Sequence, residues 1–88
     1  MLFRSSAFRA LREQGLPLDE AALTRLYVGL ANCLHGMERV EEAITMLREG
    51  LEQVRSNAQR QEFYVCAGTI YEACGHIDDA IDAYRGRL

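Results

Sequence analysis

Hydrophobic side chains recur along this chain at intervals of three and four positions, which is the spacing of one face of an α-helix. After Pro17, four such stripes are separated by residues typical of helix ends. Asp19 is a predicted N-cap, and Gly36 and Gly75 are predicted helix ends because glycine takes a left-handed backbone without steric cost. The stripes are Leu23, Leu26, Tyr27, Leu30 and Leu34; Val40, Ala43, Ile44, Leu47, Leu51 and Val54; Phe63, Tyr64, Ala67, Ile70, Tyr71 and Cys74; and Ile77, Ala80, Ile81, Tyr84 and Leu88.

These boundaries predict helices over about residues 19–36, 39–54 and 58–74, and a last helix from about residue 77. The polar stretch before the third helix offers Ser56 or Asn57 as its N-cap. Pairs of acidic residues fall in the first turns of the second and fourth helices, where the helix dipole stabilises negative charge. These pairs are Glu41 with Glu42 and Asp78 with Asp79.

A fifth apolar stripe lies near the start of the chain. Three Arg and two Ser precede the first acidic residue, Glu13, which also suits an organelle-targeting or membrane-surface helix. Because the stripe continues into the pattern that follows, we expect it to be the first helix of the fold, over about residues 2–14. Its members are Leu2, Phe3, Ala7, Phe8 and Leu11.

The pattern of residues 19–54 returns in residues 58–88, so the chain contains an internal repeat. A shift of 37 positions superposes Tyr27 on Tyr64, Leu30 on Ala67, Ala31 on Gly68, Leu34 on Tyr71, Val40 on Ile77, Ala43 on Ala80, Ile44 on Ile81, Leu47 on Tyr84 and Leu51 on Leu88. Each unit is a pair of helices, and residues 2–14 match half a unit. The sequence therefore predicts an all-α array of five helices joined by short loops.

Charge and hydropathy exclude two classes of partner. Thirteen acidic residues outnumber ten basic ones, and every basic residue is an Arg placed singly along the chain. Nucleic-acid binding needs a basic patch, so we expect no nucleic-acid partner. A membrane-spanning helix needs about 18 consecutive apolar residues. No such run occurs, so we expect no membrane partner either.

The three cysteines, Cys33, Cys66 and Cys74, are odd in number and lack CxxC spacing. Since each falls within a helical pattern, we expect buried free thiols and a reducing compartment, the cytoplasm. A metal site built from Cys66, Cys74 and His76 is disfavoured, because residues eight apart on one helix are about 12 Å from each other.

No catalytic motif stands out in the sequence. It has no glycine-rich phosphate loop, no HExxH and no nucleophile elbow. His35 and His76 lie at predicted helix ends, where an imidazole can interact with terminal carbonyl groups. We therefore expect neither an enzyme nor a bound cofactor or metal.

The repeated unit resembles a tetratricopeptide repeat, in which a helix with W-x2-L-G-x2-Y precedes a helix with A-x3-F. The period of 37 exceeds the family's period of about 34, with the extra residues around residues 56–60, and no Pro closes either unit. The resemblance implies one domain over residues 1–88, built as a right-handed superhelical array of hairpins. The matching positions hold Tyr64, Ala67, Gly68, Tyr71, Ala80 and Tyr84 in the second unit, and Tyr27, Leu30, Ala31, Leu34, Ala43 and Leu47 in the first.

The resemblance also implies a binding site, since in this family the first helix of each unit lines a concave groove for a peptide. We therefore expect a protein–protein interaction module (an adaptor, assembly factor or small chaperone) for a neutral or basic segment. The family's clamp for C-terminal carboxylates is disfavoured, because Val28 and Cys66 stand where it needs a cation and an amide. The groove positions transfer to Arg25, Val28, Asn32, His35, Glu62, Val65, Thr69 and Glu72.

Other interpretations stay open. In a repeat stack the last helix leaves an apolar side uncovered, so either the natural chain continues past Leu88 or something else covers that side. Self-association through this surface is one alternative function. A regulatory fragment of a larger signalling or transcriptional protein is another, and the groove can also be a solvated face with no ligand.

Overall fold

The computed structural model describes residues 19–88, and these residues form four α-helices and no strand. Helix α1 spans Glu20–Gly36, α2 spans Val40–Leu51, α3 spans Asn57–Ala73 and α4 spans Ile77–Tyr84. The all-α prediction is confirmed for this part of the chain. Helix α2 ends three residues before the predicted boundary, at Leu51 instead of residue 54. The predicted helix over residues 2–14 lies outside the described residues.

The helices pack as two consecutive hairpins. Helix α1 packs on α2, and α3 packs on α4, while α3 also contacts both helices of the first hairpin. Buried apolar side chains from all four helices and from the link between α2 and α3 form one cluster, which is the core of this part of the chain. Its members are Leu23, Tyr27, Ala31, Leu34, Ala43, Ile44, Met46, Leu47, Leu51, Val54, Phe63, Cys66, Ala67, Ile70 and Ala83.

The predicted stripes and the observed core differ at their edges. The stripe residues Leu26, Ile77, Ile81 and Tyr84 are each at least 40% exposed. For the last helix this agrees with the expectation that one of its apolar sides stays uncovered. Helical spacing identifies an apolar face, but burial also needs a neighbouring element against that face. Met46 is fully buried although it lies outside the predicted stripe. It is buried because α2 is covered on two sides, by α1 and by α3.

The absence of a side chain at Gly50 lets side chains of α1 and α3 approach the backbone of α2 closely. A Cβ atom at this position would collide with the ring of Phe63 and would lie 2.9 Å from the ring of Tyr27. The two rings are themselves neighbours, with centroids 6.3 Å apart, and both are buried. Because glycine has no side chain, the Phe63 ring can pack directly on the backbone of α2.

Three helices end in the same hydrogen-bonded turn. After α1, the N–H of Glu38 donates to the carbonyl of His35 at 2.9 Å, and the N–H of Arg39 donates to that of Leu34 at 2.8 Å. This is a Schellman motif, which places one residue in the left-handed conformation. The prediction of Gly75 for this role is confirmed, with φ of 81°. Gly36 is the last residue of α1, as predicted, but its predicted left-handed conformation is wrong, because Glu38 takes that position with φ of 63°.

The turns after α3 and α4 follow the same scheme. His76 donates its N–H to the carbonyl of Tyr71 at 2.9 Å, and Arg87 donates to that of Asp82 at 2.8 Å. The left-handed residue after α4 is Gly86, with φ of 83°. At the start of α1, the predicted N-cap is confirmed, since the N–H of Ala22 donates to Oδ1 of Asp19 at 2.7 Å. Local sequence therefore determines most of the helix ends.

Glu38→Gly should raise the free energy of unfolding by about 1 kcal/mol, because a non-glycine residue is strained in the left-handed conformation. Glu38→Ala is the matched control, since it removes the carboxylate but keeps the strained backbone. We expect no comparable gain from it. Urea unfolding monitored by circular dichroism measures both. Equal stabilisation by the two variants would show that the carboxylate, and not the backbone, is unfavourable.

Gly50→Ala should lower the free energy of unfolding by about 1–3 kcal/mol, because the new methyl group must displace two buried rings. Gly68→Ala in α3 is the comparison, and it should lower the free energy of unfolding by less than Gly50→Ala does. Its Cβ would lie 2.5 Å from the ring of Tyr84, but that ring is 44% exposed and can move into solvent. Urea unfolding measures both variants. An equal loss of unfolding free energy in the two would contradict the conclusion that Gly50 is the more tightly packed position.

Candidate functional site

The eight predicted groove residues lie on two neighbouring helices. One set of four lies on α1 and the other on α3, each with spacings of three and four residues that keep it on one helical face. Six of the eight side chains are exposed, and Val28 and His35 are partly buried. We call this set the α1–α3 face. It consists of Arg25, Val28, Asn32, His35, Glu62, Val65, Thr69 and Glu72.

A contact at the centre of the α1–α3 face joins its two halves. The thiol of Cys66 on α3 lies 3.5 Å from Oδ1 of Asn32 on α1, to which it donates a hydrogen bond. Burial raises the pKa of Cys66 to about 11. The thiol therefore keeps its proton near neutral pH and remains a donor. Val65, the residue before it, is 51% exposed and is the most exposed apolar side chain on this face.

The far end of the face is linked to α4 by Tyr84. Its hydroxyl donates to Oε1 of Glu72 at 2.9 Å and lies 3.3 Å from Oγ1 of Thr69. The Thr69 hydroxyl also donates to the backbone carbonyl of Val65 at 2.9 Å. Tyr84 was predicted only as a packing residue, so its polar role was missed. Glu72 is therefore partly engaged within the protein, whereas Glu62 is exposed at the other end of α3.

The charges on the face are divided between its two helices. Arg25 lies on the α1 half, while Glu62 and Glu72 lie on the α3 half. Around Val65, the face thus combines an exposed apolar side chain with amide, hydroxyl and carboxylate groups. Such a mixture can bind a polypeptide segment by contact and hydrogen bonding.

Glu20 fixes the connection between the two hairpins. Its Oε1 atom accepts the backbone N–H groups of Ser56, at 2.9 Å, and Arg55, at 3.1 Å. Sequence analysis predicted Ser56 or Asn57 as the N-cap of α3, and Ser56 does occupy that position, although its own hydroxyl forms no capping bond. The carboxylate of Glu20 thus holds the start of α3 against the start of α1.

Arg60 holds the same connection from the other side. Its Nη1 atom donates to the carbonyls of Leu51, at 2.8 Å, and Val54, at 3.1 Å. Its Nη2 atom donates to the hydroxyl of Tyr64 at 3.1 Å. These bonds satisfy carbonyl groups at the end of α2, which no helical bond can reach. Sequence analysis missed these roles of Glu20 and Arg60, because the groups that they hold between the hairpins are backbone N–H and carbonyl groups, which carry no sequence signal.

The cysteines and histidines differ in part from their predicted roles. All three cysteines are free, but only Cys66 is buried, while Cys33 is exposed and Cys74 is partly buried. The burial predicted for the latter two is therefore wrong. The ring of His76 lies beside Tyr71 and 3.7 Å from the carboxylate of Asp79, at the start of α4. His35 lies in the last turn of α1, as predicted.

Within residues 19–88, no three His, Cys, Asp or Glu side chains are grouped so that they could hold a metal ion. None of the four helices has the length and hydropathy needed to cross a membrane.

Comparison with known proteins gives no relative for this chain. Neither the protein-family models, nor the curated proteins, nor the solved structures contain a match to it. The function therefore has to be argued from the residues themselves.

Glu20 should make stability depend on pH. The N–H groups of Ser56 and Arg55 lower the pKa of its carboxyl below the usual 4.5. A lowered folded-state pKa gives stability that is present above pH 4.5 and lost as pH falls through the folded-state value. Glu20→Gln should thus be less stable than the wild type at pH 7, and the difference should shrink in acid. Urea unfolding at a series of pH values measures this, and a difference independent of pH would contradict it.

Proposed function

We propose that this chain is a tetratricopeptide-like interaction module that binds a polypeptide segment of a partner on its α1–α3 face. The observation that carries the proposal is the joining of the two halves of this face. The Cys66–Asn32 contact between α3 and α1, with exposed side chains on either side of it, supports one binding surface shared by the two units. The proposed module acts by binding, without catalysis and without a cofactor.

The packing supports a tetratricopeptide-like arrangement. Helix α3 contacts both helices of the preceding hairpin, so the second hairpin stacks on the first. The small residue Gly68 lies against Tyr84 within the second hairpin, as the repeat pattern predicts. The Schellman turns at Glu38 and Gly75 are 37 residues apart, the period of the repeat. We propose that further units of this kind follow a right-handed superhelical path.

The side chains of the face suggest the chemistry of the partner. Val65 offers an apolar contact, and Glu62 offers an exposed carboxylate to a Lys or Arg of the bound segment. A neutral or basic segment therefore fits the α3 half better than an acidic one. With a single large exposed apolar side chain on the face, we expect modest and reversible binding. Such binding suits an adaptor, assembly factor or small chaperone of the cytoplasm.

A selection from a random peptide library displayed on phage tests this proposal, followed by titration of the selected peptides by fluorescence anisotropy. We expect neutral or basic peptides whose affinity falls at least tenfold with Val65→Glu. Glu62→Arg should weaken the binding of basic peptides in particular, because the new Arg and the peptide then carry like charges.

Glu52→Arg is the matched control, since it makes the same change of charge at an exposed residue outside the α1–α3 face. It should leave the affinity within about twofold, which is under 0.5 kcal/mol. Selection of acidic peptides would contradict the proposed partner chemistry. Binding that is insensitive to both Val65→Glu and Glu62→Arg would contradict the proposed face.

Self-association is a second candidate function, and a specific observation favours it. Ile77, Ile81 and Tyr84 on α4 are 53%, 42% and 44% exposed, and their spacing puts them on one face of that helix. Contiguous exposed apolar side chains commonly mark an interface. This surface is separate from Val65 and Glu62, so the two candidate functions can be tested independently.

A further inference from the structure

Helices α2 and α3 are in contact inside the protein, and each carries an apolar set with the same spacing of four, three and four residues, the α3 set ending one residue past the helix. The α2 set is Val40, Ile44, Leu47 and Leu51, and the α3 set is Phe63, Ala67, Ile70 and Cys74. Three members of each set are buried, and the remaining two, Val40 and Cys74, are partly buried. The two helices are in contact, and the buried members of both sets belong to the same core.

The repeat places a second copy of the α3 set on α1. A shift of 37 positions carries Phe63, Ala67, Ile70 and Cys74 onto Leu26, Leu30, Cys33 and Met37. We call these four residues the front face. Leu26 is 40% exposed and Met37 is 58% exposed, and Cys33 is also exposed. Leu30 is partly buried against the core. Three of the four front-face side chains are therefore exposed, whereas no member of the α3 set is.

The same shift places a second copy of the α2 set on α4. It carries Val40, Ile44, Leu47 and Leu51 onto Ile77, Ile81, Tyr84 and Leu88, which we call the back face. The first three are exposed by 42% to 53%, and Leu88 is partly buried. Arg48 donates from Nε to the carbonyl of Leu88 at 3.2 Å, which holds the end of the back face near α2.

We propose that the back face of one copy of this chain packs against the front face of a second copy, repeating the α2–α3 interface between molecules. The inference rests on the self-association candidate and uses none of the eight residues of the α1–α3 face, although the Tyr84 hydroxyl of the back face contacts two of them, Thr69 and Glu72. Within residues 19–88, each of the two faces is a copy of one half of a helix pair that is already in contact inside the chain. Neither face itself contains a charged residue, so pairing them buries no charged side chain of their own.

This pairing is head-to-tail, because different surfaces of the two copies meet. Such an interface does not close at a dimer unless the rotation between copies closes a ring. A pairing of two back faces would instead be symmetric and would stop at the dimer. The two modes therefore make different predictions for variants that damage only one face.

Sedimentation velocity of the full chain tests the proposal, from about 1 µM to 1 mM. The wild type should increase in mass with concentration. Leu26→Glu damages the front face and Ile81→Glu damages the back face, and each variant alone should lose the concentration dependence. Mixed in equal amounts, they should form a species of twice the monomer mass, because one intact front face then meets one intact back face.

Three controls keep the test specific. Met37→Glu with Ile77→Glu is a second pair at more exposed positions, so that a folding defect in one variant does not decide the result. Circular dichroism confirms equal helicity in every variant. Val65→Glu changes an exposed apolar residue on the α1–α3 face and should leave self-association intact while it weakens peptide binding.

Several results would overturn the proposal. One such result is a wild type that stays monomeric at every concentration, which is expected if the apolar stripe of residues 2–14 covers the front face. If self-association persists in Leu26→Glu but is lost in Ile81→Glu, two back faces pair with each other. The mixture can fail to form the heterodimer in both variant pairs, or Val65→Glu can abolish association. In each case the front and back faces are not partners.

Discussion

The packing of Phe63 against Gly50 and Tyr27 is the contact on which the rest of this structure depends. The side chain of Phe63 is completely buried, and the missing side chain of Gly50 lets it rest on the backbone of α2. Its ring also meets that of Tyr27 on α1. One residue of α3 is thus fixed against both helices of the first hairpin. Glu20 and Arg60 then hold the connecting segment on either side of this contact.

The candidate binding surface follows from this placement. Because α3 lies beside α1, the thiol of Cys66 reaches Asn32, and the two repeats present one face. At the end of this face that contains Glu72, the hydrogen bond from the Tyr84 hydroxyl to the Glu72 carboxylate links α3 to α4. The proposed peptide binding and the proposed self-association use different residues, since Val65 belongs to the α1–α3 face and Leu26 to the front face.

Sequence periodicity predicted the helices and the caps at Asp19 and Gly75, because these depend on neighbours within one or two turns. It put Leu26 in an apolar stripe although that side chain is 40% exposed, since spacing alone does not show whether another helix covers a face. It missed the need for a small residue at Gly50, which arises from a ring 13 residues further along the chain. It also assigned the left-handed turn to Gly36 and not to Glu38, although the 37-residue shift aligns Glu38 with Gly75.

The sequence predicted which residues belong to the candidate site, but it did not predict how buried their side chains are or which groups they contact. The eight residues fall on two adjacent helices, yet the engagement of Glu72 by Tyr84 and the partial burial of Val28 depend on tertiary packing. The raised pKa of Cys66 likewise results from burial between helices, which a linear pattern does not reveal. Glu20 and Arg60 act on backbone groups of residues 51–56, so no pairing of side chains could have identified them.

A nuclear Overhauser spectrum of the isotope-labelled protein tests the central packing most directly. The account predicts cross-peaks from the ring protons of Phe63 to the Hα protons of Gly50 and to the ring of Tyr27. These contacts join three helices, and no isolated hairpin would produce both. A Phe63 ring that shows neither contact would contradict the stacking of the two hairpins, and with it the continuous α1–α3 face.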